Sequence, residues 1–135
     1  MTTESMLAHL HARRSDAATL VVRHVGALVA TRTTLRPEQL AAGHPIGETH
    51  DAHAIGQAFD AIASAEPSVT SDTSEGRWHL TFLDRAGKPI AVVTTAVFAP
   101  RHGTIDGTWV LFHNDRLVRW LAHRYAPNEI PLIHD

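Results

Sequence analysis

Histidine and carboxylate chemistry is what this sequence offers: eleven histidines and fourteen acids stand in 135 residues with no cysteine. The most suggestive spacing is Gly47-Glu48-Thr49-His50-Asp51-Ala52-His53, where two imidazoles lie three residues apart beside two carboxylates. At a helix start, positions i and i+3 share a face. His50 and His53 with Glu48 would then reach one divalent cation, and Asp60 or Asp51 would complete the shell. Imidazole and carboxylate suit zinc, nickel, copper or iron. The pair lacks the i+4 spacing and the glutamate of the zinc-protease helix, so the same residues also read as ordinary surface histidines. No cofactor other than such a cation is implied.

Charge is the second signal. Between Arg36 and Arg77 there is no Lys or Arg, against seven acids: Glu38, Glu48, Asp51, Asp60, Glu66, Asp72 and Glu75. One reading is an acidic surface, carried by Glu48, Asp51, Asp60 and Glu66, that meets a basic protein partner. The other is an acidic segment that packs beside the basic segments of its own domain.

Other chemistries find little support. The six serines (5, 15, 64, 68, 71 and 74) fall in expected helix ends or in a polar loop, and none occupies a Gly-x-Ser-x-Gly elbow. No glycine-rich phosphate loop is present. Arg116, Arg119, His123 and Arg124 on the last helix face outward, yet a net charge of −2 without clustered Lys/Arg argues against a nucleic-acid partner. Trp78, Trp109 and Trp120 read first as core between sheet and helix. Trp78, Phe98 and Trp109 together read second as a small-ligand pocket.

Those residues need elements to hold them. Met6, Leu7 and Leu10 predict a helix over 5–14, and Ile55, Ala58, Phe59 and Ile62 predict another over 51–65. Leu117, Val118, Leu121 and Tyr125 predict a last helix over 115–125. Alternation of Trp78, Leu80 and Phe82 with Arg77, His79 and Thr81 predicts a strand with one wet face. Asp84 to Gly87 supplies a turn, and strands follow over 90–98 and 108–112, with a break at 100–103. The Val- and Leu-rich stretch 19–32 is split by Gly26 into two expected strands. Gly43, Pro45 and Gly47 predict a loop, as does the polar stretch 66–76.

The expected order is α-β-β-α-β-β-β-α, an α+β domain with an antiparallel sheet of about five strands and helices packed on one face. Residues 1–135 form one domain on this reading. Leu83, Val93 and Val97 face opposite to Trp78, Leu80 and Phe82, so part of the sheet's second face is apolar, and a homodimer would hide it. No segment spans a bilayer, and the first residues lack a signal-peptide pattern, so the expected location is cytoplasmic with no membrane partner. The leading expectation is a non-enzymatic, homodimeric protein-binding or regulatory module. The alternative is a small enzyme or metal-binding protein using His50 and His53.

Overall fold

In a computed structural model, residues 2–31 and 34–134 are described. The helices are α1 (Thr3–Arg13), α2 (Pro37–Ala41), α3 (Ala52–Ser64) and α4 (Arg116–Tyr125). The strands are β1 (Thr19–His24), β2 (Pro45–Thr49), β3 (Pro67–Val69), β4 (Trp78–Leu83), β5 (Pro89–Thr95), β6 (Arg101–Ile105) and β7 (Thr108–Phe112). They form one seven-stranded antiparallel sheet in the order β2-β1-β4-β5-β6-β7-β3. The α+β class holds, with seven strands where about five were expected. Among the described residues no helix is long and apolar enough to cross a membrane.

Local signals start the helices. Thr2 Oγ1 accepts the Ser5 N–H at the head of α1, and Asp51 Oδ1 accepts the His53 N–H at the head of α3. Asn114 Oδ1 takes the Arg116 N–H where α4 begins. One face of the sheet carries Leu20, Val22, Trp78, Leu80, Phe82, Val93, Ile105, Val110 and Phe112, all buried. Met6 and Leu10 of α1, Ile55, Phe59 and Ile62 of α3, and Leu117, Val118 and Leu121 of α4 join them in a single core. Phe59 meets Phe82 with ring centroids 4.4 Å apart.

The opposite face is not the wet one expected. Short α2 roofs it: a Cβ on Gly76 would fall 2.8 Å from Leu40 Cδ1 and 3.8 Å from Thr94 Cβ, with Leu40 itself buried. His79, Thr94 and Thr104 lie buried on this side, where Thr94 and Thr104 hydroxyls bond each other at 2.7 Å.

Four expectations about elements need correction. No strand follows β1: residues 25–31 form turn and coil, held by Arg77, and Arg32 lies outside the described residues. The loop expected at 43–47 contains β2, and the polar stretch 66–76 begins with β3. The break expected at 100–103 is the start of β6. A two-residue hairpin joins β6 to β7, with Asp106 at φ 49° and Gly107 at φ 82°, and Asp106 Oδ1 accepts the Val92 N–H at 2.8 Å.

Gly103 leaves no room for a side chain where β5 and β6 pair. A Cβ there would stand 2.0 Å from the Thr94 carbonyl oxygen and 2.8 Å from Phe112 Cε2. Backbone cannot yield as a side-chain tip does, so Gly103→Ala is expected to lower the unfolding free energy by about 3 kcal/mol, the upper end of overpacking costs. Urea unfolding checks this as a lower midpoint; an unmoved midpoint contradicts it.

Candidate functional site

Three large apolar side chains stand in water at one end of the sheet: Leu28 is 77% exposed, Val29 53% and Phe98 46%. Leu28 and Val29 follow β1, and Phe98 lies between β5 and β6. The segments that carry them leave the same end of the sheet, because β1 ends beside the start of β4, and β4 starts beside the end of β5. Among the described residues only Ile46 and Val69 are comparably exposed large hydrophobics, and these lie on the two edge strands.

A buried polar framework holds this end in shape. The Arg77 guanidinium, 7% exposed as a residue, donates from Nη1 to Gly26 O and Val29 O, each at 2.9 Å. Its Nε and Nη2 both reach Glu75 Oε1, at 3.1 and 2.9 Å. From the other side, Glu129 projects out of the 3-10 turn at Pro127–Leu132, and its Oε2 accepts the Ala27 N–H at 2.8 Å. That oxygen also sits 3.0 Å from His24 Nε2, but off the ring's donor axis, so the approach is close without being a formed hydrogen bond. His24 in turn stacks on Trp78, with centroids 3.7 Å apart. Arg119 and Arg101 tie down the chain beyond this turn by donating to Ile133 O and His134 O. Arg119 also grips Asp115 with two nitrogens, which holds the Asp115 carboxyl below its ordinary range.

A cavity of about 290 Å³ opens beside Phe98, lined by Arg77, Glu75, Pro100 and His102 among others. The same surface therefore offers apolar projections and a recess. The chemistry available is recognition: apolar anchors beside Arg77 and Glu75, which pair with each other, and a His102 Nδ1 that is buried without a hydrogen-bond partner.

The pocket expected from Trp78, Phe98 and Trp109 does not exist as one site. Trp78 is fully buried on the helix-covered face, whereas Trp109, paired with Thr104, points to the opposite face. Trp109 instead lines an open cavity with Arg36, Gln39 and the 73–75 loop. The His50 and His53 rings part company. His50 Nδ1 meets Thr19 Oγ1 at 3.0 Å and its Nε2 lies 3.4 Å from Glu48, while His53 Nε2 meets Gln57 Nε2 at 3.2 Å. Asp60 is taken by Arg14 at 2.5 Å, which lowers the carboxyl pKa. Among the described residues no group of three or more His, Asp or Glu could hold a metal ion.

Three of the seven acids of the acidic segment pair with arginines. Arg14 pairs with Asp60, Arg36 with Glu38 and Arg77 with Glu75, all three cations coming from or bounding the basic segments. Asp51 is spent on its helix cap, and Glu66 forms the left-handed corner, φ 53°, between α3 and β3.

The chain matches no protein-family model, no curated protein and no solved structure. Geometry alone carries the functional reading. Of these residues only Phe98 stands out in the sequence; Leu28, Val29, Arg77 and Glu129 carry no motif. Two successive large aliphatics just after Gly26 were the available signal for the first pair.

Burial also makes one histidine sensitive to pH. His79 is 4% exposed, and desolvation, aided by Arg23 across the ladder, pushes its pKa below the ordinary 6.5. Unfolded, His79 takes up a proton as pH falls through 6.5; folded, it stays neutral to lower pH. The unfolded state thus binds the extra proton, and stability declines as pH falls below 6.5. Wild type is expected to lose more stability between pH 7 and pH 5 than His79→Asn. Equal slopes in chemical denaturation across that range would contradict this.

Proposed function

We propose that this chain is a non-enzymatic binding module that self-associates through the apolar end of its sheet. The observation that carries the reading is the exposure of Leu28, Val29 and Phe98 at one end of the sheet, with the 27–29 backbone fixed by Arg77 and Glu129. Apolar side chains on a freely moving loop would cost ordering entropy on binding; here the backbone under Leu28 is bonded on both sides, so little of that cost remains.

A second copy is the partner we favour because the surface carries both apolar projections and a recess. Arg77 lines the recess beside Phe98 and also bonds the Val29 carbonyl next to Leu28, and in a two-fold pair each copy's Leu28 would be seated in the other's recess. Pairing through the sheet edges is the weaker route. β2 begins with Pro45 and bulges at Ile46, and β3 is three residues long, begins with Pro67 and gives its Val69 N–H to Thr3 Oγ1. Proline, bulges and short or covered edges are the usual means of preventing strand addition.

Size-exclusion chromatography with light scattering tests the proposal. Wild type is expected to run as a dimer at high micromolar concentration, and Leu28→Asp or Phe98→Asp to shift it to monomer with unchanged circular dichroism. Ile46→Lys on the edge is expected to leave the dimer intact. A strictly monomeric wild type, or a dimer indifferent to both end variants, removes the reading.

A further inference from the structure

One side-chain pair lies outside the apolar end and has the arrangement of a nucleophile with its base. Ser68 Oγ lies 2.7 Å from His113 Nε2. The register of β3 against β7 explains the meeting: Ser68 stands opposite Leu111, and His113 is two residues further along, on the same side of the strand.

Both residues are held from several directions. On the serine side, the Val69 N–H goes to Thr3 Oγ1 and the Thr70 N–H to Trp109 O. On the histidine side, the His113 N–H goes to Ala65 O and Asn114 Nδ2 to Ser64 O. The pair is therefore preorganised by hydrogen bonds at both ends and still open to solvent, with the His113 side chain on the surface.

We propose that Ser68 is a nucleophile activated by His113 and accepts an acyl group from activated carboxylic esters. The serine hydroxyl is a weak nucleophile alone, and an imidazole nitrogen within hydrogen-bond reach can take its proton as the oxygen attacks. The Oγ–carbonyl-carbon bond forms while the Oγ proton passes to Nε2. The carbon–oxygen bond to the leaving group then breaks, and the imidazolium returns the proton to the departing alkoxide or phenoxide. The products are an O-acyl Ser68 and an alcohol or phenol.

Among the described residues no carboxylate bonds to His113 Nδ1, so the third member of a triad is missing. A general base alone is worth on the order of 10²–10⁴ in rate. That is enough to single out one serine but far short of an efficient hydrolase, and the proposal is of stoichiometric acylation. It stands independently of self-association.

The full chain is treated with a fluorophosphonate and, separately, with p-nitrophenyl acetate, and adducts are located by intact mass and peptide mapping. A single adduct on Ser68 is expected, forming roughly 10²-fold faster than on any other serine. His113→Gln keeps a hydrogen-bonding side chain but cannot take the proton, and is expected to lose that advantage. Ser68→Ala is expected to give no adduct. Circular dichroism and melting curves of both variants should match wild type, since the two side chains pack no core. No adduct, an adduct spread over several serines, labelling undiminished in His113→Gln, or p-nitrophenol release undiminished in Ser68→Ala would each overturn the proposal.

Discussion

A buried guanidinium dictates the shape of the molecule's most unusual surface. Arg77 immediately precedes β4 next to Trp78, and its charge is largely removed from water. A buried charge left without partners costs about 3–5 kcal/mol, so the chain must bring it acceptors. Glu75 comes from the preceding loop, and the carbonyls of Gly26 and Val29 come from the segment after β1. Bending 25–29 around Arg77 leaves Leu28 and Val29 in water, forgoing about 1.5–3 kcal/mol for each side chain. The two costs are of similar size, so the exposed arrangement becomes favourable if those aliphatics are later buried by a partner.

The same logic explains why the charges are segregated in sequence and mated in space. Acids fill the stretch from Glu38 to Glu75, and arginines bound it, as Arg36 and Arg77 do, or lie outside it, as Arg14 does just after α1. Folding sets Arg14 across α3 against Asp60, with Gly56 leaving room: a Cβ there would meet Arg14 Nη2 at 3.1 Å. Exposed pairs of this kind contribute little stability individually. Their consequence is that three of the seven acids, Asp60, Glu38 and Glu75, stand paired with arginines in the folded protein.

Strong periodicity made α1, α3, α4, β4, β5 and β7 legible. Residues 25–31 have strand propensity, but the Arg77 acceptor requirement overrides it. β2 and β3 are short, polar and proline-led, with too few residues to alternate. β6 is hidden by Arg101, His102 and Gly103, which look like a break, although Asp106-Gly107 is a hairpin signal in its own right. At the site level, His50 and His53 were read with the i, i+3 rule, but α3 begins at Ala52 and His50 precedes its cap, so the rule does not apply. Trp78 and Trp109 were grouped by type, whereas pairing register puts them on opposite faces. Burial of His79 was invisible because the residue that covers its side of the sheet, Leu40, comes from a five-residue helix.

Edge protection links the remaining features. At one edge, Pro45 and the bulge at Ile46 spoil the ladder, and the Tyr125 ring lies so close over Gly47 that a Cβ would meet it at 2.4 Å. At the other, Thr3 takes the Val69 N–H and closes β3. Closing both edges leaves side-chain surfaces as the means of association, which favours the apolar end over strand addition. The Thr3 bond also fixes the residue next to Ser68, so the contact that blocks the edge helps set the register in which Ser68 meets His113. A device needed to keep the sheet from growing thereby orders the only serine–histidine hydrogen bond among the described residues.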